Sequence, residues 1–150
     1  MSRPFKLTAP RALEYQEQEA LFRYAAIQER HDRRWALLNS SQNGLRASSI
    51  QQAARANRCG MKKGYPDVFL PVATGGWHGL FIELKRVGGV PSDVSPEQRR
   101  WLEDLDEQGY LTEVCYGWEQ AATLLDEYLS NKKPAVVAGL CASTQARQRG

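Results

Sequence analysis

Cysteine is scarce in this chain of 150 residues: Cys59, Cys115 and Cys141 lie far apart and form no C-x-x-C pair. An odd count without pairing argues against a disulfide framework and against a thiolate zinc site. Histidine is scarcer, with only His31 and His78, too few for a histidine-rich metal centre. No apolar run approaches the roughly 20 residues that span a bilayer. Arg3 and Lys6 are followed by no apolar stretch, so no signal peptide is expected and cytoplasmic residence follows by default.

Acidic residues are missing from one long segment. Between Asp32 and Asp67 there is none, while Arg33, Arg34, Arg46, Arg55, Arg58, Lys62 and Lys63 all fall there. From Asp93 to Asn131 the balance reverses, with ten acids against Arg99 and Arg100. The stretch after Asn131 is basic again (Lys132, Lys133, Arg147, Arg149). The net charge of +3 therefore conceals a polarised chain that can offer one positive face to a polyanion. A short charge run is as often a plain solvated surface. Seven bases without an acid favour phosphate binding.

What is present is an ordinary globular composition, 42% hydrophobic and 25% charged, in a length that fits one domain with a real core. The spacing of Leu13, Ala20, Leu21, Tyr24, Ala25 and Ile27 predicts a helix over about 11–30. Trp35 to Leu38 reads as a short strand, and Gln42-Asn43-Gly44 as a turn. Ser48 or Ser49 caps a second helix that runs through Ala56 and is ended by Gly60. Val68–Val72 and Gly79–Val87 read as an antiparallel hairpin around Thr74-Gly75-Gly76. Gly88–Asp93 reads as a polar loop. Ser95-Pro96-Glu97-Gln98 is a capping-box helix start with proline at the first position. Trp101, Leu102 and Leu105 form that helix's inner stripe and Gly109 stops it. Tyr110–Tyr116 reads as a strand. A last helix follows Gly117, with Trp118, Ala121, Ala122, Leu125 and Leu129 on one side. This order predicts a mixed α/β or α+β sandwich around a central sheet. The domain is expected over 1–131, with a flexible basic tail over 132–150.

The chemistry concentrates on the hairpin. Alternation along Leu80-Phe81-Ile82-Glu83-Leu84-Lys85 puts Leu80, Ile82 and Leu84 on one face and Phe81, Glu83 and Lys85 on the other. A carboxylate and an ammonium on a central strand are costly to bury without partners. Asp67, after Gly64-Tyr65-Pro66, opens the neighbouring strand. Pairing across the hairpin would bring Asp67 and Glu83 together, where they repel unless a cation joins them. Mg²⁺ suits such an oxygen site. A bare E-x-K is expected by chance in about one of every two chains of this length, usually as a surface ion pair. The Pro-Asp one hairpin loop upstream gives it weight.

These residues carry a resemblance. Gly64-Tyr65-Pro66-Asp67, Gly79 to Lys85 and Ser95-Pro96-Glu97-Gln98 resemble the PD-(D/E)-x-K nucleases, and within them the VRR-NUC branch found alone in phages and fused to larger DNA-repair nucleases. The resemblance runs from about Glu14 to Leu129. It takes in Asn43-Gly44 with Arg46, Lys62-Lys63 and Gly109-Tyr110. It implies an α/β fold with a restriction-endonuclease-like core, a central mixed β-sheet flanked by helices. It also implies a metal-dependent DNA nuclease in a bacterial or phage-infected cell, using Mg²⁺ or Mn²⁺ and no small-molecule cofactor. By that resemblance Asp67 and Glu83 bind the metal, helped by the backbone carbonyl of Leu84, and Lys85 orients or deprotonates the attacking water. A first-helix glutamate joins them: Glu14, paired with Gln18, is favoured over Glu17 and Glu19, each of which could equally be a solvated helix residue. Gln98 matches the family's active-site glutamine, against a purely structural capping role. Tyr65 and His78 could touch substrate, although a packing tyrosine and a loop histidine are the commoner outcomes.

Arg46, Arg55, Arg58, Lys62 and Lys63 are expected to hold the DNA backbone without reading bases. No base-reading motif is visible, which favours branched or Holliday-junction DNA over a sequence-defined site. Cutting two strands favours a homodimer. No membrane partner is expected. Two other classes remain open at this level. One is a non-catalytic DNA-binding module with the same fold, against which the intact Asp67, Glu83 and Lys85 speak. The other is a small scaffold using Trp101 and Trp118 as interface anchors.

Overall fold

The structure is a computed structural model that describes residues 10–41 and 49–131. Helix α1 covers Pro10–Gln28 and buries Leu21 and Ala25. Ile27 stands 56% exposed because it lies about 200° round the helix from Ala25, off the stripe to which the spacing assigned it.

The expected strand over Trp35–Leu38 is instead a 3-10 turn, Arg33–Leu37. The Asp32 carboxylate accepts the Arg34 N–H at 3.0 Å and starts a tight turn. Three-residue spacing then drives Trp35 and Leu38 together into the core. An apolar run this short fits either periodicity. Only Asn39–Ser40 pairs as strand β1.

Ser49 caps helix α2, Ile50–Arg58, by accepting the Gln52 N–H at 3.2 Å. Strand β2 is Val68–Leu70 and β3 is Leu80–Lys85, both shorter than the sequence suggests. The Val72 N–H turns back to the Leu70 carbonyl, and Thr74 bridges Trp77 at the hairpin tip. After a short 3-10 turn at Pro91–Asp93, α3 spans Pro96–Glu107, β4 Leu111–Tyr116 and α4 Trp118–Leu129. Of the stripe expected on α3, Leu102 is buried while Trp101 and Leu105 are half-buried. Asn43-Gly44, Arg46 and the basic tail lie outside the described residues.

The four strands lie in the order β1-β2-β3-β4. β2 is antiparallel to both β1 and β3, and β4 runs parallel to β3. The sheet is mixed and flanked by helices, as expected. On one face Val68, Leu70, Leu80, Ile82 and Leu84 pack with Leu21 of α1 and Ala121, Ala122 and Leu125 of α4. The Tyr128 hydroxyl donates to the buried Val72 carbonyl at 2.6 Å and ties α4 to the hairpin. On the other face Leu102 of α3 meets Val94 and Val114. Among the described residues no helix is long and apolar enough to cross a membrane.

Candidate active site

Alternation along β3 holds as the sequence requires: Leu80, Ile82 and Leu84 join the larger core, while Glu83 and Lys85 turn to the face that α3 flanks. Both charged residues are buried, Glu83 to 1% and Lys85 to 4% exposure. Asp67 reaches them because the β2–β3 register sets Val68 opposite Ile82, so the preceding residue falls opposite Glu83. The approach to Asp67 is held by α3. Gly64 adopts φ +82°, and a Cβ there would lie 2.8 Å from the Glu97 backbone. The Trp101 indole donates to the Lys63 carbonyl at 3.0 Å, and Tyr65 packs edge-on against Trp101 and Phe81.

Each polar group has a defined role in the packing. Asp67 Oδ2 accepts the Leu84 N–H at 2.8 Å. The N–H and C=O of one strand residue point the same way, so the Leu84 carbonyl also faces the Asp67 side. Lys85 Nζ lies 3.0 Å from Glu83 Oε1 and 3.9 Å from Glu14 Oε1. Gln98 holds both partners: its Nε2 donates to Glu83 Oε1 and its Oε1 accepts from Lys85 Nζ at 3.3 Å. The same Oε1 accepts the Ser95 N–H at 2.8 Å, closing the capping box of α3. Site contact and capping, treated as rival roles in the sequence, are therefore carried by one side chain. Glu83 Oε2 is buried and accepts no hydrogen bond.

Burial, then the charge of Asp67, pushes the Glu83 carboxyl up to about 8, against the pull of Lys85. Asp67 is raised as well, chiefly by burial, with the Leu84 N–H and Lys85 opposing. A buried Glu83 carboxyl and a half-buried Asp67 carboxyl, both raised and set against each other, make an oxygen-rich position suited to a hard divalent cation. Among the described residues no group of three or more His, Cys, Asp or Glu forms a side-chain cage. Such an ion would thus rest on two carboxylates, a carbonyl and waters.

The three first-helix candidates separate. Glu14 faces Lys85. Glu17 accepts the Trp118 N–H at 2.8 Å and is committed to α4. Glu19 is exposed. The role of Glu17 has one signal in the sequence: Gly117, at the cap of α4, has no side chain to cap with. Arg55, Arg58 and Lys62 are exposed, and α2 buries none of its residues. Lys63 is exposed but paired with Glu97 at 2.9 Å. His78 is exposed in its loop. A separate cavity of about 550 Å³ lies between β4 and α4, lined in part by Glu113, Cys115, Leu124 and Glu127. It includes none of Asp67, Glu83, Lys85 or Gln98.

The mixed sheet flanked by helices is a nuclease-type fold. The VRR-NUC domain model matches residues 11–119, and the chain belongs to that family. A solved structure described as a VRR_NUC domain protein is similar at 26% identity, covering 81% of this chain and 91% of that one with a TM-score of 0.67. No curated protein matches.

Proposed function

We propose that this chain is a Mg²⁺- or Mn²⁺-dependent deoxyribonuclease that hydrolyses phosphodiester bonds as a structure-selective endonuclease on branched or Holliday-junction DNA. The observation that carries this reading is the buried Glu83 carboxyl set against Asp67 and flanked by Lys85 at 3.0 Å. A group so costly to bury is retained where it is used.

Asp67, Glu83 and the Leu84 carbonyl would hold the ion, while Glu14 faces Lys85. When bound, the cation neutralises phosphate charge and makes a water more acidic. Lys85 orients the attacking water and offsets the charge that develops on the phosphate. Gln98 fixes Lys85 and Glu83 relative to one another, so that little reorganisation is needed as charge develops on the phosphate. Arg55, Arg58 and Lys62 hold the backbone; none belongs to a base-reading motif, which supports selection by DNA shape. Two-strand cutting favours a homodimer, since a two-fold pair of sites matches a two-fold substrate.

The test is cleavage of supercoiled plasmid and of a four-way junction with Mg²⁺ or Mn²⁺, then with EDTA. Lys85→Ala is expected to lower the rate by about 100-fold or more, and Asp67→Ala to abolish the metal-dependent signal. Variants that cut as well as the parent would remove the site assignment. Absence of cutting by the parent, with DNA still bound, would leave a binding module.

A further inference from the structure

The hairpin that carries the carboxylates carries a second, apolar row on the same face. Alternation puts Phe69 with Asp67 on β2 and Phe81 with Glu83 on β3. Phe69 and Phe81 are register partners, and their rings stack at 4.2 Å with 11° between planes. Tyr110 meets both edge-on, at 6.0 and 5.2 Å. Tyr65 meets Phe81 at 5.7 Å and Trp101 at 5.0 Å. Phe81 is buried, but Phe69, Tyr65, Trp101 and Tyr110 all keep part of their surface open. Leu102 of α3 covers Val114 on the β4 side.

We propose that this aromatic row, Phe69 and Tyr110 above all, is a stacking platform for an unpaired nucleobase next to the phosphate that a cation at Asp67 and Glu83 would position. One strand repeat, about 6.8 Å, separates the two rungs. That distance is comparable to the reach from a phosphate to its own base. The Trp101 indole is tied to the Lys63 carbonyl, which anchors the chain next to exposed Lys62 at the edge of the row, while Glu97 offsets the Lys63 charge. Part-open aromatic rings one strand repeat from the proposed phosphate position, with exposed Lys62 on the adjoining segment, suit an anionic polymer with aromatic side groups rather than a lipid or an apolar peptide. Bases inside a duplex hide their faces in the stack. The platform therefore selects a nucleotide that is single-stranded, frayed or at a branch. The position of the scissile bond rests on the nuclease reading above, whereas the stacking itself does not.

The experiment uses the full chain in EDTA and a single-stranded oligonucleotide carrying 2-aminopurine, whose fluorescence is quenched on stacking, with the matching duplex alongside. The parent is expected to quench the single strand and not the duplex. Phe69→Leu and Tyr110→Leu are each expected to lose that quenching and about tenfold in single-strand affinity, with duplex affinity unchanged. Phe69→Tyr is expected to retain both. Circular dichroism checks folding, and if one leucine variant does not fold the other carries the comparison. No quenching by the parent, or parent-like quenching in a folded leucine variant, overturns the proposal. Cleavage assays separate the two readings: a parent that quenches but never cuts with Mg²⁺ or Mn²⁺ defeats the nuclease reading alone. A parent that cuts without quenching defeats the platform alone.

Discussion

The buried Glu83 carboxyl faces the half-buried Asp67 carboxyl, and this ties the stability of the metal-free protein to pH. Glu83 sits at about 8 in the folded chain against an ordinary value of 4.5. The folded state therefore keeps a proton that the unfolded state gives up. The resulting stability is complete below about 4.5 and is lost as pH rises through about 8. Glu113, pushed up to about 7 by burial and then by Asp106, adds a slope of the same sign. Asp67→Asn removes one of the repelling charges while leaving an oxygen to accept the Leu84 N–H. In EDTA at about pH 8 it should stabilise the protein by about 1 kcal/mol, a few degrees in Tm. It should also flatten the fall of Tm with pH while abolishing cleavage. Stability gained as activity is lost is the pattern of a site that function holds away from its stability optimum. Thermal melts across the pH range check this. Equal slopes in parent and variant would mean that the two carboxyls do not sense each other.

At the scale of elements, the capping contacts place the site as much as the strands do. Helix α4 begins at Gly117, whose φ of +94° and missing side chain leave the first N–H groups without a local acceptor. Glu17, from α1, supplies one to Trp118. Glu17→Ala should cost about 1 kcal/mol and leave cleavage intact. Glu14→Ala should do the reverse, with cleavage reduced and Tm little changed. Chemical denaturation and plasmid cleavage on the two variants decide between them. If Glu17→Ala were inactive but fully stable, the roles of the two glutamates would have to be exchanged. Local signals read well at this scale. Ser95-Pro96-Glu97-Gln98 specifies its own helix start because every partner lies within four residues. The Trp35–Leu38 run misleads because its turn is set by the Asp32 carboxylate just outside it.

At the scale of the molecule, charge is segregated along the chain, and Arg55, Arg58, Lys62 and Lys63 stand exposed on and after α2. Arg55 and Arg58 stand on a helix that buries none of its residues. Replacing both with alanine should weaken DNA binding uniformly across sequences. It should also lower the slope of log K against log salt by about 2, at roughly 0.9 per phosphate contact. Lys63→Ala should matter less than Lys62→Ala, because Glu97 already offsets the Lys63 charge. Fluorescence anisotropy over a salt series measures each slope, and an unchanged slope in the double variant would place the DNA on another face.

Strand faces were legible from the sequence because a period of two is a property of the backbone itself. Asp67, Glu83 and Lys85 could therefore be assigned to one surface, with α3 starting at Ser95, before any contact was known. Of Glu14, Glu17 and Glu19, the sequence favoured Glu14 only through the helix face it shares with Gln18, and Glu14 is the one that faces Lys85. Their helix spacing is compatible with several rotations, and the choice falls to how α1 packs on β3 and α4. The bridging of Glu83, Lys85 and the α3 cap by Gln98 likewise depends on residues brought together only when the helix docks on the sheet. Local periodicity determined the donors, and long-range packing decided which of them share a site.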